Sequence, residues 1–386
     1  MPTINAKTLT DFAAAIFERS AVPPAVARQV ADSLVQANLK GHDSHGVIRI
    51  IEYVDWVAKG WVNPKGRLTV VREQPCILLL DGDFGFGQVI GREATNLGIA
   101  KAKKEGACIL SLKRSGHLGR VGEFMEMVAE AGLVCFSFTN THGGGVLVAP
   151  HGGCERRLSA NPLGGGAPMP DGSSLIMDMS TCTIAEGKIK VALVRGEELP
   201  PRVIVNGYGE PSTSPEEYYA QPPGALLPMA GHKGFALSLF CEVMAGALTG
   251  AGCSKAGVER VANGFMAFLL DPSVFCGPDF FFTELSDLAQ WVKSSRLTQG
   301  FDEIQLPGEP EARAQEKHES TGAVIDEKTW KKICEIAAVR HVSIPDLEKN
   351  DEGKTHGMAK RKLTKRPAAT DASGHETQGT NHQSRP

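Results

Sequence analysis

The chain has no run of about 18 apolar residues, so nothing in it reads as a membrane span. Its start, MPTINAKTLTDF, lacks the basic stretch followed by apolar residues that marks a secretory signal. A formal net charge of −3 over 386 residues gives neither nucleic acid nor an anionic membrane a reason to bind. The nine cysteines form no CxxC pair. That odd, scattered set reads as reduced thiols in a cytoplasmic protein. GxSxG is missing, so THGGG (141–145) has no nucleophile elbow to serve as an esterase oxyanion loop. HEST at 318 and HETQ at 375 do not extend to HExxH, and no metal is expected. Aromatics make up only 6% of the chain.

Glycine, at 43 residues, is plentiful, as in an α/β enzyme with many ligand loops. A 42% apolar content can fill a sizeable core, and the length suggests two domains plus an extra segment. Helical spacing marks residues 7 to 40 as two helices, with Leu9, Phe12, Ala13 and Ile16 in one stripe and Val26, Val30, Leu34 and Ala37 in the next. A third helix is expected after Ser44, which would cap it, ending near Gly60. Strands are expected at 76–82, 107–115, 133–141, 174–180, 202–207 and 265–272. Helices are expected at 88–105, 119–131, 285–295 and 329–339, and a buried apolar one at 234–250. Alternation of this kind argues for an α/β layer with a mixed sheet. From about 348 the chain is polar and aperiodic, and reads as a disordered tail. Its AKRKLTKRPAA run is either a solvated charge run or a basic import patch.

FGFGQVIG places Gly85, Gly87 and Gly91 between a strand and a helix, as a dinucleotide fingerprint would. The spacing is GxGxxxG, however, and the next strand ends in Lys113, Arg114 and Ser115 with no acid, which favours a tight turn. GHDSHGVIRI (41–50) crowds two histidines, an aspartate, a serine and an arginine. His45 and Arg49 are four apart, so on a helix they share a face. A cation there can hold a carboxylate while the imidazole exchanges a proton next to it; a capped helix with a surface ion pair explains the residues equally. Asp178 ends an apolar strand, where a buried carboxylate needs a partner such as histidine, or merely caps a turn. SGHLGRVGE and AGHKGFALS each set a histidine among glycines at a helix start, a place for a phosphate or for a structural histidine.

In their order and spacing DSHGVIRI, DGDFGFGQ, SGHLGRVGE, VAPHGG, ANPLG, DMSTCTIAEGKI, GALLPMAGHKGFAL, CEVMAGALTGA and LPGE resemble the malate/L-lactate dehydrogenase family that is unrelated to Rossmann-type lactate dehydrogenases. The resemblance spans roughly residues 5 to 340 and is nearest to the hydroxycarboxylate dehydrogenase B branch. It implies a non-Rossmann α/β (α+β) fold, sulfolactate dehydrogenase-like, with a mixed-sheet cofactor domain (71–229 with 261–299). A helical domain (1–70) would be joined by 230–260 and 300–345. It implies an NAD- or NADP-dependent interconversion of 2-oxo and 2-hydroxy acids, in a homodimer. The alternative within the family is reduction of cyclic imino acids. The family's catalytic histidine falls on His45, its helper serine on Ser44, its aspartate on Asp178 and its carboxylate clamp on Arg49. Its cofactor contacts fall on His45, Ser115, Gly116, His117, Met177, Asp178, Met179, Ser180, Thr181, His232, Lys233, Asn263, Pro307, Gly308 and Glu309. Lys113 and Arg114 would either meet a 2′-phosphate or be surface charges.

Overall fold

In the computed structural model the described residues are 1–142 and 145–346. The Gly143–Gly144 portion of THGGG and the polar tail lie outside them. The N-terminal stripe folds as expected. Helices α1 (Ala6–Glu18) and α2 (Pro24–Leu39) bury Leu9, Phe12, Ile16, Val30 and Leu34 against one another. Asn5 caps α1 by accepting from the N–H groups of Lys7 and Thr8, and Pro24 opens α2 where its missing N–H leaves no bond unmade. α3 (Ile50–Ala58) and α12 (Glu327–Val339) complete this helical core. Strand β1 (Thr3–Ile4) pairs antiparallel with β12 (Ala323–Val324), tying the start of the chain to its late segment.

The third helix begins later than expected. Asp43–His45 and Val47–Arg49 are single 3₁₀ turns, and Ser44 makes no cap bond. The reason is Asn38, whose side chain takes the role expected of Ser44. Its Oδ1 accepts from Val47 N–H at 2.8 Å and its Nδ2 donates to Asp43 Oδ1 at 2.7 Å.

A seven-stranded mixed sheet runs in the order β2 (Thr69–Gln74), β3 (Ile77–Asp81), β4 (Ala107–Ser115), β11 (Ala262–Leu270), β5 (Val134–His142), β6 (Leu163–Pro168), β7 (Ser174–Met179). Only β3 and β4 are parallel, linked by the crossover helix α4 (Gly87–Glu105). α4 and α5 (Gly122–Glu130) cover one face with Ile90, Ala94, Phe124, Met125 and Val128. β6, the Gly-rich LGGGAP, carries no strand signal in sequence. It lies directly beneath α5, where a Cβ on Gly164 would stand 2.6 Å from Ser137 Oγ and 3.0 Å from Met125. β2, wholly exposed, also escapes the sequence pattern.

The 234–250 segment is not one buried helix. α8 (His232–Cys241) continues as a π-helical turn, Glu242–Ala247. The buried Glu242 carboxylate there accepts from Asn161, Asn140 and Ser254. Ser238, Cys241 and Ala245 face inward, whereas Leu239, Phe240, Val243 and Leu248 face out, Phe240 at 60% exposure. Among the described residues no helix is long and apolar enough to cross a membrane.

Candidate active site

His45 is set by the turn that Asn38 holds. Gly46 passes so close to that side chain that a Cβ would lie 2.2 Å from Asn38 Oδ1, so only glycine fits. Ser44 Oγ lies 3.1 Å from His45 Nδ1. Arg49 folds back, its Nε donating to the Ser44 carbonyl at 2.7 Å, with Nη1 3.6 Å from Glu52. Serine, histidine and arginine thus form one local unit.

Across from it lies the loop that leaves β4. Gly116 N–H donates to Gly85 O at 2.8 Å, so the Gly85–Gly87 turn serves to seat this loop. Ser115 is fully buried, with Oγ on the Gly116 carbonyl. The loop carries His117, whose ring is parallel to that of His45 within 2° at a centroid distance of 5.8 Å. His117 Nδ1 is 2.8 Å from Tyr53 Oη, and Tyr53 Oη accepts from Gln88 Nε2 at 2.7 Å. Asn263, also buried, anchors the loop by accepting from Leu118 N–H and donating to Asn140 O and Thr141 Oγ1, each at 2.8 Å.

Both imidazoles are neutral in this setting. Burial, then the Arg49 charge, then His42 and Arg120, bring His45 down to about 3. Burial followed by Arg49 and His45 holds His117 well below its ordinary value.

Asp178 is the penultimate residue of β7, and its Oδ2 accepts from Gly122 N–H at 2.7 Å at the start of α5. Both side chains pack directly on Gly122, where a Cβ would lie 2.9 Å from Asp178 Oδ2 and 2.5 Å from Arg120 Nη1. Burial raises the Asp178 carboxyl, opposed by Gly122 N–H, Arg120 and His42. Arg120 therefore acts electrostatically on both Asp178 and His45. It is nearly buried, with Nη2 on Glu126 at 2.5 Å, and Lys40 pairs with the other Glu126 oxygen at 2.8 Å.

The remaining expected contact residues fall around β7. Thr181 is buried, its N–H and Oγ1 both donating to Ala160 O, and its carbonyl accepts from Met229 N–H at 3.0 Å, which draws the 229–233 turn alongside. His232 and Lys233 are exposed at the start of α8. Ile176 N–H donates to Pro307 O at 2.9 Å, and this lays Pro307, Gly308 and Glu309 along the edge of β7 beside Met177. Met177, Met179 and Ser180 are partly exposed. A 480 Å³ pocket adjoins Pro307 and Glu309, and an 860 Å³ charged cleft opens beside Arg120, Lys40 and Glu126. Neither cavity is lined by His45. Arg114 is engaged elsewhere: its Nε donates to both Asp81 oxygens at 2.8 and 2.9 Å and its guanidinium stacks on Phe84.

Tyr53, Gln88, Asn38 and Arg120 are the site residues that sequence pattern passes over. Arg120 stands within the motif SGHLGRVGE and Gln88 within FGFGQVIG, though nothing singles either out there, and Asn38 and Tyr53 lie in plain helical stripes.

The sequence profile of the malate/L-lactate dehydrogenase family matches residues 4–334. The L-lactate dehydrogenase of Cupriavidus necator is 36% identical over 84% of this chain and 94% of its own. Hydroxycarboxylate dehydrogenase B of Escherichia coli is 35% identical over 89% and 95%. The solved sulfolactate dehydrogenase of Methanocaldococcus jannaschii superposes with a TM-score of 0.79 at 31% identity, covering 89% of this chain and 98% of its own. The profile spans both the helical core and the mixed sheet, and the chain belongs to the malate/L-lactate dehydrogenase family.

Proposed function

We propose that the chain interconverts small 2-oxo acids and 2-hydroxy acids with NAD or NADP, with His45 exchanging the proton. Membership of the family supports an oxidoreductase of 2-hydroxy acids. The observation that carries the finer reading is the Ser44–His45–Arg49 unit facing His117, an imidazole and a guanidinium fixed together at one turn.

The donor chemistry fits a dinucleotide. His232 and Lys233 put an imidazole and an ammonium group at the N-terminus of the ten-residue α8, a place suited to phosphate. Together with Ser115, Gly116 and His117, with Met177, Asp178, Met179, Ser180 and Thr181, with Asn263, and with Pro307, Gly308 and Glu309, they would hold the cofactor. When bound, the nicotinamide supplies or accepts the hydride. Arg49 would receive the substrate carboxylate, setting the neighbouring carbon beside His45, and such positioning accounts for much of the rate. With its value brought down to about 3, His45 is neutral near pH 7, the form that takes a proton from a hydroxy acid. For reduction it must carry that proton to the carbonyl oxygen. A bound carboxylate that offsets Arg49 moves the ring in that direction. We assign the exposed apolar face of α8 to a second copy of the chain, giving a homodimer.

A panel of 2-oxo acids, 2-hydroxy acids and cyclic imines with both cofactors, read at the nicotinamide absorbance band, tests the reading. Turnover of imines alone would replace the oxo-acid assignment. His45→Ala is expected to lower turnover by roughly 10²–10⁴-fold while NAD(P)H still binds by fluorescence titration. Near-normal turnover in that variant would remove His45 from the mechanism.

A further inference from the structure

We propose that Tyr53 and Gln88 are positioning residues that lock His117 in one neutral tautomer, with Nδ1 bare and the proton on Nε2. The inference deepens the dehydrogenase reading and rests on it for the use made of that proton. The argument follows the hydrogens. With the Gln88 amide placed so that Nε2 faces Tyr53, Nε2 donates to Tyr53 Oη at 2.7 Å and the buried Oε1 is left without a partner among the described residues. Tyr53 and Gln88 are each 1% exposed, so the buried tyrosine hydroxyl hydrogen needs an acceptor. In that arrangement the hydroxyl donates to His117 Nδ1, at 2.8 Å. A nitrogen that accepts cannot carry the proton, so on a neutral ring the proton sits on Nε2.

Neutrality has its own cause. Burial and the Arg49 charge both disfavour a cationic His117. The neighbouring rings leave it little freedom, with Tyr53 and Trp56 each edge-on to it at 6.0 and 6.2 Å and His45 parallel to it. The outcome is a fixed, uncharged N–H donor beside His45, suited to an oxygen of a bound substrate or cofactor. A neutral imidazole that cannot give up a second proton leaves proton exchange to His45. The two histidines therefore take different work, His117 orienting by hydrogen bond and His45 titrating.

The tautomer is read directly by long-range ¹H–¹⁵N NMR of histidine-labelled protein without substrate, the His117 signals being identified by their loss in His117→Asn. The expected pattern is an unprotonated Nδ1 and a protonated Nε2 at every pH where the enzyme is active. Tyr53→Phe should shift that pattern toward a tautomer mixture and lower kcat by roughly 10–100-fold, the range for losing the partner that orients a functional imidazole. His117→Gln, which keeps an N–H donor near the Nε2 position, should retain more activity than His117→Asn, whose amide sits near Nδ1. A proton on Nδ1 in the wild type, or a Tyr53→Phe variant with unchanged tautomer and kcat, overturns the proposal. So does an asparagine variant as active as the glutamine one. A protein inert toward every acid and imine, yet showing the bare Nδ1, would refute the dehydrogenase reading and leave the tautomer assignment standing.

Discussion

At the scale of single residues the site sets charge against burial, and Asp178 shows the sign of the effect. Its carboxyl is raised by burial, so the folded chain holds that proton more tightly than the unfolded chain does. Stability therefore falls as pH rises through the window from the ordinary carboxylate value up to the raised one, and above that window the loss stays in place. Asp178→Asn removes the titration and keeps an oxygen for Gly122 N–H. The variant is expected to gain on the wild type in thermal midpoint as pH rises above about 4 and to match it below. Its turnover should fall, because Arg120, whose charge lowers His45, then loses a carboxyl that offsets it. Midpoints measured from pH 3 to 8 check this, and a variant less stable than wild type at neutral pH would show that the carboxylate is a net stabiliser. His45 has the opposite sign. Its depressed value means the unfolded chain binds the proton first, so stability falls as pH drops from about 6.5 toward 3.

Elements made themselves legible in the sequence where one face is apolar and the other wet. α1, α2, β3, α4, β4, α5, β5, β7 and β11 stand where helical spacing and apolar runs put them. β6 did not, because its glycines answer to the closeness of α5 rather than to strand propensity, and β2 did not, because it buries neither face. The start of α3 was misplaced for a similar reason. A side chain from the previous helix, Asn38, intervenes, and local spacing cannot reveal it. His45, Arg49 and Asp178 were visible as chemistry-bearing residues in DSHGVIRI and DMST. Their partners were not: Tyr53 meets His117 across 64 positions, and Gly122 meets Asp178 across 56. Asn38 is thus the element-level test. Asn38→Ala leaves Val47 N–H without its buried acceptor, and is expected to cost about 1–3 kcal/mol in denaturant unfolding. It should lower kcat beyond the fall in folded fraction, since the turn carrying His45 loses its support. A variant that loses stability but keeps full kcat would show that the turn holds itself.

For the whole molecule, the question is where the working unit ends. Every residue assigned to the site lies between Asn38 and Glu309, and the family profile closes at residue 334. Beyond the site, β12 pairs with β1, and Trp330, Ile333 and Ala337 of α12 fill the helical core against Phe12 and its neighbours. Arg340 Nε then reaches back to Ser20 Oγ at 2.7 Å. The core is closed by this point, and every contact that builds the site above is made among residues 1–346. A chain ending at Asp346 is therefore expected to keep the thermal midpoint and kcat of the full chain. One ending at Gly322 loses β12 and α12 together, stripping buried apolar surface from α1 and α3, and should fail to fold as a soluble protein. Thermal melts and the acid panel on both truncations decide the matter. Loss of turnover in the longer truncation, with an unchanged melt, would assign the last forty residues a part in catalysis that the site as built does not require.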